Sequence, residues 1–138
     1  QHTQRFIKPE LESGNIVFCD RYVDSTTAYQ GYARGLGAEE VERLNALAVG
    51  DVKIDLTIFL DFPPEKAFAR KGGRDTGDRL ENEKMEFHKR VYEGFCKIAE
   101  KEPCRVVRLD ASGAKEQTHE KIVKLLIERG IIPSENNA

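Results

Sequence analysis

An acidic and a basic residue stand side by side where a short apolar run ends, and together they could handle a phosphate group. The run Ile16-Val17-Phe18-Cys19 is followed by Asp20, Arg21 and Tyr22. A carboxylate can orient a metal ion or a water molecule, while a neighbouring guanidinium holds phosphate oxygens through paired hydrogen bonds. The triplet therefore indicates a Mg-phosphate site. Acidic residues also end strands without any function, so the triplet alone does not decide.

A second group of cations lies in a glycine-rich stretch further along the chain. It contains Arg70, Arg74 and Arg79, the pair Gly72-Gly73, and no apolar residue that could fix it to a core. This composition predicts an exposed, mobile loop. The alternative is a run of solvated surface charge. The adjacent glycines favour a loop that moves, because they leave its backbone free to change conformation.

The elements that must position these residues are strands alternating with helices. Short apolar runs predict buried strands, and longer segments with one apolar face predict helices. The predicted strands are 16–20, 56–61 and 105–109, and the predicted helices are 1–13 (with Phe6 and Leu11 inward), 38–49, a short one from 65, a long one ending at Pro103, and 114–129. The polar segment 21–32 receives no element. The alternation predicts an α/β fold with a parallel sheet layered with helices.

Asp20 and Asp61 close the first two predicted strands, and Asp110 directly follows the third. Ligands of open parallel sheets bind beyond the carboxyl ends of the strands. These carboxylates are therefore expected near the site, although Asp61 and Asp110 alone prove little.

The composition is that of one soluble domain spanning residues 1–138. Hydrophobic residues make up 39% and charged residues 33%, and the net charge is -2. That balance gives no global attraction to nucleic acid or to an anionic membrane. The three cysteines, Cys19, Cys96 and Cys104, lack metal-ligand spacing and suit free thiols in a reducing compartment. A cytoplasmic location is expected.

The segment from Asp20 to Gly31 carries a family resemblance. It reads Asp-Arg-Tyr-Val-Asp-Ser-Thr-Thr-Ala-Tyr-Gln-Gly and resembles the D-R-[YH]-x-x-S-x-x-A-Y-Q-G signature of bacterial-type thymidylate kinases. The resemblance continues through Asp55-Leu56-Thr57, Asp78-Arg79-Leu80-Glu81 and Asp110-Ala111-Ser112. It implies a P-loop NTPase-like fold of the nucleoside monophosphate kinase type. The implied activity is phosphoryl transfer from ATP to dTMP with Mg²⁺, in dTTP biosynthesis, by a homodimer.

The resemblance also implies roles for the residues of this segment. Asp20 and Arg21 would lie at the phosphate-transfer centre, with Asp20 reaching the metal directly or through water and Arg21 bridging the dTMP phosphate and the transferred group. Ser25 and Thr26 would line the monophosphate site. Tyr29 would lie against the sugar, where its ring could exclude a 2′-hydroxyl. Gln30 would reach toward the base.

The glycine-rich stretch would be the family's LID, at about residues 70–81, which closes over ATP. Arg70, Arg74 and Arg79 occupy its arginine positions and would meet the charge on the transferred phosphoryl group. The sequence departs from the common pattern at Gly72 and at Thr76-Gly77. Which of these arginines serves the transition state stays open.

One motif that such a kinase needs does not occur in the sequence. The phosphate loop G-x-x-x-x-G-K-[ST] requires Gly-Lys-Ser or Gly-Lys-Thr, and neither is found. We therefore expect the loop and the first strands to lie upstream of residue 1, and the chain alone to be inactive. A non-catalytic or vestigial nucleotide-binding protein is the alternative. A kinase for another nucleoside monophosphate is disfavoured by Ala28-Tyr29-Gln30-Gly31.

Overall fold

Helices form most of the described structure, and two short strands stand among them. A computed structural model describes residues 1–70 and 79–134, with the side chains of residues 79–83 excepted. The order is a π-helical turn Thr3–Ile7 that continues as helix α1 (Lys8–Glu12), helix α2 (Val23–Thr26) that continues as a π-helical segment (Thr27–Ala33), α3 (Ala38–Val49), strand β1 (Thr57–Asp61), α4 (Pro64–Arg70), α5 (Arg79–Lys101), β2 (Val106–Asp110) and α6 (Lys115–Glu128). We call residues 23–33, which join α2 to its π-helical continuation, the motif helix.

Strands β1 and β2 pair in parallel. Their register runs from Thr57 opposite Val106 to Asp61 opposite Asp110. Because α4 and α5 lie between the two strands in sequence, the pair forms a strand-helix-strand crossover, as parallel pairing requires. The predicted α/β class with a parallel sheet is confirmed.

The core lies between α5, the sheet and the motif helix. Val91 and Ile98 of α5 are buried with Ala28 of the motif helix and Phe59 of β1. The rings of Phe59 and Phe95 stack with centroids 5.1 Å apart. The predicted apolar stripe of α5 thus faces inward, and it fixes the motif helix against the sheet side of the molecule.

Residues 16–20 do not form the predicted strand. They are assigned no regular element, and Ile16 is 51% and Phe18 69% exposed. A strand is defined by hydrogen bonds to a neighbouring backbone, and no other described segment pairs with this one. The apolar pattern of the run was sufficient to predict strand character but could not supply the partner, so this prediction is wrong for the chain as it stands.

The segment 21–32, which received no element, contains most of the motif helix. Its buried positions are Asp24, Thr27, Ala28 and Gly31. These residues are polar or small, so they produce no apolar stripe that a periodicity argument could detect.

The inward face predicted for the first helix is also wrong. Phe6 and Leu11 are exposed, and Thr3 and Ile7 are buried instead. Phe6 and Leu11 are five positions apart, about 140° around a helix, so one face cannot bury both, whereas Thr3 and Ile7 are four apart and share a face.

The other predicted elements are confirmed with small shifts. Helix α3 has the predicted bounds, β1 differs from prediction by one residue at its start, and β2 and α6 differ by one residue at each end. Within the described residues, no helix is long and apolar enough to span a membrane.

Candidate active site

Arg21 has a backbone conformation that residues other than glycine seldom adopt. Its φ angle is +67°, and among residues 1–70 and 79–134 no other non-glycine residue has a positive φ. This conformation costs an L-amino acid about 1–2 kcal/mol, because Cβ approaches a carbonyl oxygen. Such strain persists only where the surroundings hold it, and it concentrates at functional sites. The backbone therefore marks Arg21 as a candidate functional residue.

The side chain of Arg21 lies over the ring of Tyr29. The guanidinium carbon is 4.5 Å from the ring centroid, a cation–π distance. The Tyr29 ring in turn meets Phe87 of α5 edge-on, with centroids 6.0 Å apart. The turn at Arg21 and the middle of the motif helix thus meet in one contact that α5 supports from behind.

The motif helix presents two different faces. Asp24, Thr27 and Gly31 are buried, whereas Ser25 and Tyr29 are half-buried on the other side. Thr26 is exposed beside them, and the half-buried Gln30 accepts a hydrogen bond through Oε1 from Nη1 of Arg34 at 3.2 Å. The predicted substrate-binding residues therefore share the accessible face, while the buried face attaches the helix to the fold.

Asp24 is the strongest attachment on the buried face. Its two carboxylate oxygens accept hydrogen bonds from Nη1 and Nη2 of Arg105, each at 2.8 Å. The Thr57 hydroxyl donates to Oδ2 at 2.6 Å. Burial raises the pKa of Asp24, but the hydrogen bonds from Arg105 and Thr57 outweigh burial, so the pKa lies below its usual value.

A second attachment of the motif helix runs to α3. The Asn45 amide donates to the carbonyl of Val23 at 3.1 Å and to the Thr27 hydroxyl at 3.0 Å. The Tyr22 hydroxyl, just before the helix, is hydrogen-bonded to the Thr3 hydroxyl at 2.5 Å. The residues around Arg21 are thus held from α3, from the first helix and from the sheet.

The carboxyl ends of β1 and β2 carry the other two predicted carboxylates, and both are paired. Asp61 accepts from the Tyr92 hydroxyl at 2.7 Å and from Nη2 of Arg108 at 2.8 Å. The hydrogen bond from Tyr92 to Asp61, together with burial, raises the pKa of Tyr92 to about 12. Asp110 accepts from the Ser112 backbone at 3.0 Å and from the Lys121 ammonium at 3.1 Å. The pKa of Asp110 is lowered by hydrogen bonding from the Ser112 side chain and backbone and from Lys121.

Asp61 and Asp110 lie opposite one another in the sheet register, as expected for acids at one strand edge. Asp20 does not join them in the sheet, because residues 16–20 form no strand. Of the three acids predicted at the carboxyl edge of the sheet, Asp61 and Asp110 therefore lie there and Asp20 does not.

The predicted LID arginines are only partly described. Arg70 ends α4, and its guanidinium carbon is 6.0 Å from the centroid of the Phe62 ring. Arg79 begins α5, but its side chain lies outside the described part of the chain, and Arg74 lies outside it altogether. Arg70 also lines a pocket of about 480 Å³ together with Ala111 and Gly113, which follow β2, and Thr118, Ile122 and Leu126 of α6.

The donor set for a metal ion is small. Among residues 1–70 and 79–134, no group of three or more histidine, cysteine or acidic side chains could hold a metal ion. Asp20 contributes a single exposed carboxylate. Magnesium in phosphate-transfer sites takes one or two carboxylates together with substrate phosphates, so one carboxylate fits an ion that arrives with a nucleotide.

Asp24 and Arg105 are the residues of this region that sequence reasoning missed. Asp24 occupies an unspecified position of the signature, and Arg105 reads as the first residue of a predicted strand. An arginine at the start of a largely apolar strand was the available signal. Without coordinates, nothing indicated its partner, which is 81 residues away in sequence.

Comparison with known proteins gives a consistent result. The family model described as thymidylate kinase matches residues 1–122. A thymidylate kinase from Synechococcus sp. (strain JA-2-3B'a(2-13)) is 50% identical over 114 residues, which are 83% of this chain and 54% of that protein. One from Sulfurihydrogenibium sp. (strain YO3AOP1) is 47% identical over 131 residues, 95% of this chain and 63% of that protein.

A solved structure is also similar. The thymidylate kinase from Ehrlichia chaffeensis superimposes with a TM-score of 0.69 at 34% identity, over 91% of this chain and 56% of that one. The chain spans about half to two thirds of the length of these relatives.

Proposed function

The chain belongs to the thymidylate kinase family, and on that premise we propose that the protein containing it transfers a phosphoryl group from ATP to dTMP, giving dTDP and ADP. The observation that carries the proposal is the strained Arg21, with its side chain over Tyr29, inside the family signature. A guanidinium held in this way is pre-oriented, so little of its freedom is lost when it meets a phosphate.

The accessible face of the motif helix would bind dTMP. Arg21 would bridge the acceptor phosphate and the phosphoryl group in transfer, where planar, bidentate hydrogen bonds stabilise the spreading charge. The hydroxyls of Ser25 and Thr26 would contact the monophosphate. Tyr29 would lie against the deoxyribose, where its ring would exclude a 2′-hydroxyl. Gln30 would turn from Arg34 toward the base.

The donor side would be formed by the LID and the loop after β2. The pocket beside Arg70 is of a size typical for small ligands. It lies just past the carboxyl end of β2, where parallel sheets bind nucleotides, so it suits the base of ATP. Arg74 and Arg79 would meet the phosphates from the LID. Magnesium bound with ATP would neutralise phosphate charge, and Asp20 would hold it directly or through a water molecule.

The test is an ADP-release assay on the full-length protein. ADP formation should require dTMP and should be far slower with dCMP or UMP. Arg21→Ala should lower kcat by about 100-fold or more, with a smaller change in KM for ATP, because it removes an interaction that strengthens in the transition state.

Tyr29→Ala should instead raise the rate with the 5-methyluridine monophosphate, the ribose analogue of dTMP, relative to dTMP. Two results would contradict the proposal: ADP release that ignores the acceptor, or an Arg21→Ala protein with an intact kcat.

A further inference from the structure

Arg105 uses every hydrogen-bond donor that an arginine possesses. Nη1 donates to Asp24 Oδ2 at 2.8 Å and to the Thr57 hydroxyl at 2.9 Å. Nη2 donates to Asp24 Oδ1 at 2.8 Å and to Glu102 Oε1 at 3.0 Å. Nε donates to Glu102 Oε2 at 2.7 Å. A guanidinium has five N–H groups in a fixed plane, and all five are engaged here.

The centre of this network is shielded from solvent, and the Glu102 side chain at its edge is 43% exposed. The side chains of Arg105 and Asp24 are 20% and 13% exposed, and the Thr57 hydroxyl closes a ring by accepting from Arg105 and donating to Asp24. Hydrogen bonds in such surroundings are stronger than in water, and their geometry is restrictive. Removing Arg105 from this ion pair is costly to stability, because the buried Asp24 carboxylate is then left without a charged partner.

The network joins the motif helix to both strands. Thr57 begins β1, and the backbone carbonyl of Arg105, directly before β2, accepts from the Thr57 N–H at 2.9 Å. Asp24 lies in the first turn of α2, three residues after Arg21. A rotation of the helix about its axis would therefore break the bidentate contact and displace both Arg21 and Tyr29.

We propose that Arg105, acting through Asp24, is a positioning residue that fixes the rotation of the motif helix and thereby the placement of Arg21 and Tyr29 for the acceptor nucleotide. The part of this inference that concerns the acceptor rests on the proposed function. The part that concerns the helix does not.

Lysine at position 105 gives a graded test. It keeps the positive charge but offers three donors from a single point, so it cannot make the planar, two-pronged contact with Asp24. The matched control is Val106→Ala. Val106 is 2% exposed in the adjacent strand, so its truncation destabilises the same part of the sheet without touching Asp24.

The first measurement is hydrogen exchange of the amides of residues 23–33 in the full-length protein without nucleotide. Arg105→Lys should speed exchange in this segment by about tenfold, whereas Val106→Ala should leave it near the wild-type rate. The second measurement is steady-state kinetics well below the melting temperature. Arg105→Lys should raise KM for dTMP about tenfold with KM for ATP within about twofold, and Val106→Ala should change neither.

Thr57→Val, which removes one hydroxyl from the network at nearly constant volume, should shift both readouts in the same direction by less. It serves as the decisive variant if Arg105→Lys does not fold. Equal effects of the network variants and Val106→Ala, or unchanged exchange in residues 23–33, would overturn the proposal. A wild-type protein that fails to phosphorylate dTMP would defeat the proposed function alone, because the exchange measurement still decides whether Arg105 holds the helix.

Discussion

Arg21 combines a left-handed backbone with a side chain that lies over an aromatic ring, and these two features respond differently to substitution. Glycine adopts φ = +67° without a steric penalty, whereas alanine, which has a Cβ, retains the penalty that arginine has at this angle. We therefore expect Arg21→Gly to be more stable than Arg21→Ala by about 1 kcal/mol, although both lose the guanidinium. Urea unfolding of the two variants measures the difference. Equal stabilities would mean that the backbone at this position relaxes.

The buried carboxylate of Asp24 makes a pH-dependent contribution to stability. Its pKa in the folded protein is lowered, so the contribution is fully present above the pKa of the unfolded chain and is lost as pH falls through the lower folded value. Asp24→Asn should therefore lower the free energy of unfolding by about 3 kcal/mol at pH 7, and by less below about pH 4. Unfolding curves at pH 7 and pH 3 check this.

Asp51→Asn is the matched control for this measurement. Asp51 also accepts from a cation, Lys8, at 2.6 Å, but its side chain is 69% exposed. Exposed pairs contribute little to stability, so this variant should unfold nearly as the wild type does at both pH values. If Asp24→Asn lowered the free energy of unfolding by the same amount at both pH values, the shape of the side chain at position 24 would matter and its charge would not.

At the scale of elements, helix α5 is fastened to the sheet through Tyr92 and Asp61. The pKa of Tyr92 is raised to about 12 by its hydrogen bond to Asp61 and by burial. Tyrosine in an unfolded chain ionises at about pH 10. Because the folded pKa of Tyr92 is higher, the hydrogen bond to Asp61 contributes its full stability below about pH 10, and this contribution is lost as pH rises toward the folded pKa.

Tyr92→Phe should cost about 1 kcal/mol between pH 6 and pH 9, with the difference from wild type shrinking above about pH 10. Tyr32→Phe is the control, since no side-chain hydrogen bond joins the Tyr32 hydroxyl to the described residues. Thermal unfolding across the pH range measures both variants. A difference that grows above pH 10 would contradict this account of Tyr92.

The elements differ in how far sequence could predict them, and the reason is physical. Helix α3 carries an apolar period and strands β1 and β2 are short apolar runs, so local pattern predicted that these elements exist. The pattern did not predict the inward face of α3, because Leu44 is 66% exposed and only Val41 and Val49 are buried. The motif helix buries Asp24, Thr27 and Gly31, which carry no apolar period. The run 16–20 has the pattern of a strand, but pairing depends on a second backbone that the pattern does not contain.

In the candidate site, too, local sequence predicted some features and missed those that depend on contacts between distant segments. Arg21 and Tyr29 were predicted through the signature, and the contact between them fits one local site. The signature did not predict that Arg21 has a left-handed backbone, because that conformation depends on how the turn is held at both ends. Arg105 was missed because its partner is distant in sequence and adjacent only after folding.

At the scale of the whole molecule, large apolar side chains remain in contact with solvent. Ile16, Phe18 and Leu60 are 51%, 69% and 49% exposed, and among the described residues no large side chain is fully buried. Residues 16–20 also have backbone groups without a strand partner, which other chains can pair with. We expect residues 1–138, produced alone, to associate or to unfold without a sharp transition.

Sedimentation velocity together with thermal unfolding tests this expectation. Association that grows with protein concentration, or a broad unfolding curve, would agree with it. A monodisperse monomer with a sharp two-state transition would contradict it, and would show that the exposed apolar side chains are covered in solution by a rearrangement of the chain.

The saturation of Arg105 has a consequence for the natural history of the family. A guanidinium with no donor to spare and a buried carboxylate that depends on it cannot drift independently: loss of the arginine leaves Asp24 as an unpaired buried charge, and loss of the acid leaves two N–H groups of the arginine without an acceptor. Positions 24 and 105 should therefore coevolve: lineages that lost the acid should also have lost the arginine, most often for apolar residues. A family alignment in which the two positions vary without correlation would be incompatible with such a constraint.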